Sequence, residues 1–308
     1  MRFSTKHLLT SLSVLLLAAS THAGPVTQPA PAQYGTLKFS TTGNVTRVTF
    51  NNPPINLIDP HLISDLLAYL VSIQPSANTT TPKVVIFDST NPDWFLGPLD
   101  TALTHAPITQ DKIVATIKYS YIAPLLQNIT TTAFIAEING HNIGGGHELA
   151  LQMDMRFAGP NAHAGFFENG LGLIVGGGGQ FFLGQLINKG RALEYLLSAK
   201  AFDGPTGAAL GLFNQYYSTG HALTAAVNTL AQRIGLFPQV ALNDTKSALN
   251  NYLNPSPELL AQDITNFLAL NRDPESQADQ AKFLALSQNE TNSRFERGLP
   301  EDITELYH

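Results

Sequence analysis

The chain has 308 residues, 44% of them hydrophobic and 13% charged, so it is long and apolar enough to bury a large core, and we expect most of it to fold. The formal net charge of −6 provides no basic surface for a phosphate backbone, and we therefore expect no nucleic-acid partner. The chain contains no cysteine, so its stability has to come from core burial and not from disulfides.

The first residues predict a secretory signal peptide. Arg2 and Lys6 precede an apolar run over residues 8–19, and small residues follow it up to Ala23, after which we expect cleavage. Losing these two basic residues changes the net charge from −6 to −8. The alternative is a membrane anchor, but the run is too short to span a bilayer comfortably. We expect a protein that is secreted or lumenal, without stable membrane insertion.

The segments after the leader predict an arm, a hairpin, a helix and a strand. Residues 24–34 are Pro-rich without periodicity, as in a flexible arm. Two β-rich runs within 35–52 flank the turn signal Gly43–Asn44, which predicts a hairpin. Leucines at helical spacing predict a helix over 60–73, and the apolar run 83–89 predicts a strand buried on both faces.

The rest of the chain continues this alternation and then becomes helical. A helix over 111–126 and a buried strand within 131–140 favour an α/β fold with crossover connections. Strand signals disappear after about His221, and 221–235 and 256–270 predict amphipathic helices. The predicted organisation is a signal peptide at 1–23, a Pro-rich arm at 24–34, an α/β core at 35–220 and a helical C-terminal region at 221–308.

Three glycines, Gly144 to Gly146, separate the buried strand from a helix-like run that opens with His147 and Glu148. A glycine-rich turn before a helix leaves backbone N–H groups that, with the helix dipole, can bind an anion or a developing oxyanion. Glycine also lets a substrate approach the backbone closely. The alternatives are a nucleotide-binding turn, although G-G-G-H-E matches neither G-x-G-x-x-G nor the P-loop, and simple close packing of helix on strand.

Further motifs follow this triplet at a regular spacing. Glu168 precedes a second glycine cluster, Gly176 to Gly179, and the segments G-R-A-L-E-Y-L-L and A-x-x-L-G-L-F-N come next. Together with N-G…G-G-G-H-E-L-A-L…D, they make residues 133–214 resemble the crotonase family, also called the enoyl-CoA hydratase/isomerase family, and the similarity extends more weakly over 35–300. The resemblance implies an α/β spiral of β-β-α units (ClpP-like) and a helical C-terminal region that builds a homotrimer or hexamer.

The resemblance also implies a chemistry. In this family two backbone N–H groups bind the carbonyl oxygen of an acyl thioester and stabilise an enolate, and one of them would belong to Gly145. The family's two acid/base glutamates correspond to Glu148 and Glu168. Such a partly buried pair can have pKa values near neutrality, and it favours water chemistry over double-bond migration. Without the resemblance, Glu148 could equally be a helix-dipole partner and Glu168 a turn cap.

Five further side chains receive predicted roles. His147 could tune Glu148 or take a proton itself, although a lone histidine is more often only hydrogen-bonded. We expect Phe166, Phe167 and Trp94 to line the substrate pocket. Asp154 matches an aspartate that the family carries on the same helix, and a structural role is expected for it.

The sequence departs from the family at the first oxyanion donor, which belongs to a motif like A-G-x-D-L. The corresponding stretch is residues 91–100. If Gly97 is the motif glycine, the donor falls on Pro98, which has no N–H group. A slip of one residue would make Leu99 the donor and place Asp100 on the family's aspartate. The sequence leaves both alignments open.

A second departure concerns coenzyme A, whose phosphates many family members meet with basic side chains. Between residues 24 and 82 the only Lys and Arg are Lys38 and Arg47, both on the predicted hairpin. Coenzyme A is also scarce outside the cytosol. We therefore expect a substrate other than a coenzyme A thioester, with no metal and no cofactor. Asn-x-Thr sequons, which fit a glycosylating compartment, stand at Asn44, Asn78, Asn128, Asn243 and Asn289.

The predicted function is that of a lyase or isomerase acting on a small carbonyl metabolite by hydration or dehydration, isomerisation, or hydrolytic carbon–carbon cleavage. One alternative is a conventional enoyl-CoA hydratase, in which coenzyme A is part of the substrate. An alternative of another class is a binding protein that kept the fold and lost the chemistry.

Overall fold

A computed structural model describes residues 34–75 and 81–308. The predicted signal peptide, the Pro-rich arm up to residue 33 and the sequon at Asn78 lie outside the described residues. Residues Gly35–His308 form one compact unit. Within the described ranges, no helix is both long and apolar enough to cross a membrane.

The strands of the described chain form two sheets. In chain order they are β1 (Leu37–Thr42), β2 (Val45–Phe50), β3 (Val84–Ser89), β4 (Trp94–Leu96), β5 (Ala133–Ile138), β6 (His141–Ile143), β7 (Met155–Ala158), β8 (His163–Gly165), β9 (Phe202–Asp203) and β10 (Gln215–Tyr216). The large sheet has the order β1-β2-β3-β5-β7-β10, and the small sheet has the order β4-β6-β8-β9. In each of the pairs β3/β4, β5/β6 and β7/β8, the first strand lies in the large sheet and the second in the small sheet. This arrangement confirms the expected spiral of β-β units joined by helices.

The α-helices of the described chain lie between these strands and make up most of the C-terminal region. In chain order they are α1 (Pro60–Ser72), α2 (Gln110–Asn128), α3 (Gly145–Gln152), α4 (Gly179–Ile187), α5 (Lys189–Ser198), α6 (Gly204–Leu210), α7 (Gly220–Gly235), α8 (Gln239–Leu253), α9 (Pro257–Leu270), α10 (Pro274–Leu286) and α11 (Arg294–Arg297). Short 3₁₀ turns lie at Thr101–Leu103, Glu168–Leu171 and Glu301–Tyr307. No described strand follows Tyr216, and the C-terminal region is helical as expected.

Local sequence signals account for these elements. Thr42 pairs with Val45, so the hairpin turn is Gly43–Asn44, and Gly43 has the positive φ of 59° that two-residue turns favour. The strand Val84–Ser89 lies between two parallel neighbours and is buried from Val84 to Phe87, which explains its continuous apolar run. The Ser256 hydroxyl caps the first turn of α9, as its position before Pro257 and Glu258 predicts.

The C-terminal helices pack on both sheets. Helix α7 covers the large sheet, where Leu223 and Val227 join the cluster of Val84 and Ile135. Helices α10 and α11 and the last 3₁₀ turn cover the small sheet, where Phe283 stacks on Phe167 with ring centroids 5.1 Å apart. The end of the chain thus packs on the small sheet and on the loops that follow its strands.

Candidate active site

A cavity lies at the carboxyl ends of three parallel strands of the small sheet. Strand β4 leads to Leu99, β6 leads to the glycine triplet, and β8 leads to Glu168. Ligands of open α/β sheets bind at this end, because the connecting loops there converge. The cavity holds about 700 Å³, solvent at its mouth included, and its walls are largely apolar, with two carboxyl groups and several hydroxyl-bearing residues among them.

Leu99 and Gly145 both line this cavity, and their backbones lie close together, since a Cβ on Gly145 would lie 2.9 Å from the Leu99 nitrogen. The Pro98 carbonyl accepts the Ile58 N–H at 2.9 Å, and the Asp100 N–H donates to the Ile58 carbonyl at 3.1 Å. In such a bridge the intervening residue, Leu99, directs its own N–H to the other side. Neither Leu99 N–H nor Gly145 N–H has a hydrogen-bond acceptor in the described chain. The geometry therefore pairs Leu99, not Pro98, with Gly145.

The glycine triplet is required for both packing and access. Gly144 precedes α3 with a φ of 56°, a conformation that favours glycine. A Cβ on Gly145 would lie 2.9 Å from the Leu99 nitrogen, and a Cβ on Gly146 would lie 2.5 Å from the Leu96 carbonyl oxygen. Close packing, one of the alternatives left open by the sequence, thus explains Gly146, while Gly145 faces the cavity.

The Glu148 carboxyl is held from behind by the second glycine cluster. Its Oε1 accepts the N–H groups of Gly177 at 2.7 Å and Gly179 at 3.2 Å. A Cβ on Gly177 would lie 2.7 Å from Oε2, so a larger residue there would require the Glu148 carboxyl to move. Burial, and then the negative charge of Glu168, raise the pKa of Glu148 well above its ordinary value, although these two N–H groups oppose the shift.

The Glu168 carboxyl faces the same cavity from the other side of the triplet. Its Oε2 accepts the Phe167 N–H at 2.9 Å, and its Oε1 would lie 3.0 Å from a Cβ on Gly144. Burial raises the pKa of Glu168 to about 7, against the effect of its own N–H and that of Phe167. The cavity therefore contains two carboxyl groups that hold protons more tightly than carboxyls in water.

Three predicted positions lie away from the cavity. His147 packs on the Phe166 ring at 4.8 Å, with its Nδ1 3.1 Å from Asn142 Nδ2, and burial lowers its pKa to about 3. Phe166 points to this core side, because neighbouring residues of an extended segment face opposite ways, and only Phe167 reaches the cavity. The predicted pocket roles of Phe166 and Trp94 and the proton role of His147 do not fit this geometry.

Trp94 belongs to the core instead of the pocket. Its ring lies 4.8 Å from the His141 ring, and its Nε1 donates to Asn292 Oδ1 at 3.1 Å. Asp154 follows α3 and is not part of it, which differs from the expectation. Its carboxylate accepts the Phe134 N–H at 2.7 Å and pairs with Lys246 at 2.8 Å, so its contacts are those of a structural residue.

Two residues at the site carried no signal in the sequence motifs. The Tyr119 hydroxyl donates to the Gly145 carbonyl at 3.0 Å and lies 3.5 Å from Glu148 Oε2. Burial, and then the charges of Glu148 and Glu168, hold the pKa of Tyr119 well above its usual value, so it remains a donor. Its only sequence signal is the helical spacing of Thr116, Tyr119 and Ser120, which all line the cavity.

The second such residue, Asp263, connects α9 to the site. Its carboxylate accepts the Gly178 N–H at 3.1 Å and the side-chain amide of Gln180, which fixes the loop whose neighbouring N–H groups hold Glu148. Burial raises the pKa of Asp263 to about 6. From the same helix Ile264 and Phe267 form part of the cavity wall, so the C-terminal region completes the site.

The cavity contains no charged group other than the two carboxyls. None of the described residues lining it is a Lys, Arg or His, and the described ranges contain no cluster of three His, Asp or Glu suited to a metal ion. Lys38 and Arg47 lie on the hairpin, where the Arg47 guanidinium is paired with Asp88 and Glu137. The described sequons differ in accessibility: Asn44, Asn128 and Asn289 are exposed, and Asn243 is half-buried.

Comparison with known proteins gives consistent matches. The profile of the family described as "Enoyl-CoA hydratase/isomerase" matches residues 40–289. Bacillus subtilis YngF, named as an enoyl-CoA hydratase/isomerase, is 27% identical over 207 residues, which are 67% of this chain and 78% of that protein. The crotonyl-CoA hydratase of Syntrophomonas wolfei is 36% identical over 116 residues, which are 38% of this chain and 44% of the hydratase.

Among solved structures, a Streptomyces avermitilis protein named as an enoyl-CoA hydratase superposes with a TM-score of 0.77 at 32% sequence identity. The superposition covers 91% of this chain and 99% of that one.

Proposed function

Because the chain belongs to the enoyl-CoA hydratase/isomerase family, we propose that it is a lyase or isomerase that stabilises the enolate of a carbonyl substrate. The observation that carries this proposal is the meeting of two unpartnered N–H groups, from Leu99 and Gly145, with two buried carboxyls at one cavity. Donors fixed where negative charge develops stabilise a transition state more than they stabilise a neutral ground state. Acid and base groups beside them supply the proton transfers.

In the hydration direction, the substrate carbonyl oxygen accepts both N–H groups, and the charge of the enolate gathers on it. Glu148 takes a proton from water while the water oxygen bonds to the β-carbon. Glu168 gives a proton to the α-carbon, and the carbonyl double bond is restored. The net change is addition of one water across the carbon–carbon double bond, and dehydration follows the same steps in reverse.

The two carboxyls are suited to share one proton. Burial raises the pKa of both, that of Glu168 to about 7, and the charge of Glu168 raises that of Glu148 further, so near neutral pH the pair can keep one proton. The pair thus supplies one acid and one base, and the choice of Glu148 as base and Glu168 as acid is part of the proposal. One acid and one base are what water addition needs, and this favours hydration over isomerisation.

For the substrate, the cavity favours a small neutral carbonyl compound with an apolar chain. Its apolar wall includes Leu171, Leu173 and Phe267, and its carboxyls would repel an anionic acyl chain. The lack of a Lys, Arg or His among the described residues that line the cavity supports a substrate without the coenzyme A nucleotide. The names of the related proteins favour the second candidate, an ordinary enoyl-CoA hydratase.

One experiment separates these candidates. The purified protein is incubated in heavy water with crotonyl-CoA, with crotonyl-pantetheine, which has the same acyl group but lacks the nucleotide, and with free unsaturated acids and β-diketones. Mass spectrometry follows water addition, bond cleavage and α-carbon deuteration. We expect crotonyl-pantetheine to react at least as well as crotonyl-CoA, whereas a strong preference for crotonyl-CoA would establish the conventional hydratase.

Matched variants test the residue roles. Glu148→Gln and Glu168→Gln should each lower turnover at least about a hundredfold, because each removes one proton-transfer group. Glu296→Gln is the control, since Glu296 is equally buried but lies in the capping box of α11, which glutamine preserves. If the wild type converts none of these compounds, a binding protein on this fold would be favoured.

The cellular setting belongs to the same proposal. We propose a secreted or lumenal protein, glycosylated at exposed sequons and assembled as a trimer or hexamer. Secretion from a eukaryotic host, mass change on removal of N-glycans and the solution mass of the particle would test these three points separately.

A further inference from the structure

The loop that carries Leu99 is tied to the far end of the chain. The Thr101 N–H donates to Glu290 Oε2 at 2.9 Å, and the Thr101 hydroxyl lies 3.2 Å from Glu290 Oε1. Three residues further on, the Thr104 carbonyl accepts the Asn271 side-chain amide at 2.8 Å, and the Thr104 hydroxyl contacts Gln280 at 3.0 Å. Thr101 and Thr104 both line the cavity, so these hydrogen bonds connect its wall to the C-terminal region.

Glu290 reaches this loop from an unusual backbone. Gln288, Asn289 and Glu290 have φ values of 54°, 58° and 60°, a left-handed run of three residues other than glycine. Such conformations persist only where surrounding structure enforces them, and they are frequent at functional sites. The run buries the Glu290 carboxyl almost completely while Asn289, next to it, is exposed.

The restraint acts on the peptide between Asp100 and Thr101, two peptides after the one that carries the Leu99 N–H. On one side, the bridge to Ile58 fixes the Pro98 carbonyl and the Asp100 N–H. On the other side, the Thr101 N–H is held by Glu290, and the Asp100 carboxyl accepts the Ala102 N–H at 2.8 Å. Hydrogen bonds to Ile58 and to Glu290 thus restrain the backbone on the two sides of Leu99.

We propose that Glu290 is a positioning residue that holds the Leu99 N–H in register with the Gly145 N–H. This role rests on the proposed function, in which those two groups bind the carbonyl oxygen. This role is also compatible with the proline at position 98. Because Pro98 has no N–H group, the loop has to donate from Leu99, and the contact of Glu290 with the same loop would hold that N–H in place. Glu290 does not line the cavity and would act only through the loop.

The chemistry of the contact predicts which substitution is tolerated. Burial, and then the charge of Asp100, raise the pKa of Glu290 well above its usual value, and Glu296 adds in the same direction. A protonated Glu290 can accept the Thr101 N–H with one oxygen and donate from the other, and glutamine has the same acceptor and donor. Alanine has neither. Glu296→Ala provides the matched control, because it removes an equally buried C-terminal carboxyl that does not contact the loop.

The test combines a structural and a functional measurement on wild type, Glu290→Ala, Glu290→Gln and Glu296→Ala. Amide hydrogen exchange of residues 99–104 should accelerate at least about tenfold in Glu290→Ala only. The carbonyl stretch of bound butyryl-pantetheine, labelled with ¹³C at the carbonyl, should lose most of its binding-induced shift in the same variant. Turnover of crotonyl-pantetheine should fall about ten- to a hundredfold in kcat, with KM changed less than about threefold.

Glu290→Gln should restore all three quantities. Unchanged exchange and an unchanged carbonyl shift in Glu290→Ala, or equal losses in Glu296→Ala, would overturn the positioning role. If the wild type neither polarises nor converts any thioester while the exchange result holds, the restraint on the loop stands and the proposed function fails.

Discussion

The raised pKa of Glu168 predicts that this residue destabilises the fold at high pH. Burial raises the pKa from the ordinary 4.5 to about 7, a difference of about 2.5 units, and one unit corresponds to about 1.4 kcal/mol. The folded state therefore binds this proton more tightly than the unfolded state does. The contribution of Glu168 is most favourable below pH 4.5 and is lost as the pH rises through 7.

Above pH 7 the folded chain must keep an ionised carboxyl in an apolar cavity, at a cost of about 3 kcal/mol. Glu168→Gln removes this cost, and its side-chain oxygen can still accept the Phe167 N–H. We therefore expect the variant to be more stable than the wild type by up to about 3 kcal/mol at pH 8.5, about equal to it at pH 4.5, and inactive.

Urea unfolding at both pH values measures this difference. Glu194→Gln is the control, because Glu194 is exposed and pairs only with Lys200 on the surface, where little effect at either pH is expected. A Glu168→Gln variant that is no more stable than the wild type at pH 8.5 would show that the cavity does not raise the pKa of this carboxyl, and the assignment of Glu168 as the acid would lose its basis.

Three further outcomes follow from the structure. Gly177→Ala should lower kcat/KM about a hundredfold, because its Cβ would displace the Glu148 carboxyl, and retained activity would mean that the Gly177 contact is dispensable. Pro98→Ala should change kcat/KM less than about threefold if Leu99 is the donor, whereas a large gain would show that position 98 can donate. Phe283→Ala should cost about 3–5 kcal/mol of unfolding free energy in urea titrations, because Phe283 is fully buried between Phe167 and Phe295, and a loss under 1 kcal/mol would contradict tight packing there.

The sequence was most informative where a local pattern and a chemical requirement coincide. The glycine triplet before a helix predicted unpaired N–H groups, and in the structure Gly145, the first residue of that helix, lines the cavity. The sequence was least informative about which way side chains point. Phe166 and Phe167 are adjacent, yet one packs on His147 in the core and the other faces the cavity, because direction depends on the backbone between strand and turn.

Contacts between distant parts of the chain gave no local signal. Thr101 and Glu290 are 189 residues apart, and Gly178 and Asp263 are 85 apart. Neither acid lies in a motif, and each is recognisable only once the C-terminal helices are placed against the loops. The bridge to Ile58, another contact between separated segments, directs the Leu99 N–H away from Ile58 and so favours Leu99 as the donor, an alternative that the sequence left open.

The support of both loops by the C-terminal region has a consequence for the order of biosynthesis. Glu148 is synthesised well before the two acids that hold the neighbouring loops. Asp263, which binds the Gly178 N–H, follows it by 115 residues, and Glu290, which binds the Thr101 N–H, follows it by 142. At translation rates of about 5–20 residues per second, the interval between Glu148 and Glu290 is on the order of ten seconds. During that interval the nascent chain contains Glu148 but lacks the contact of Glu290 with Thr101, so under the proposed function we expect reactivity only after the C-terminal helices have been added.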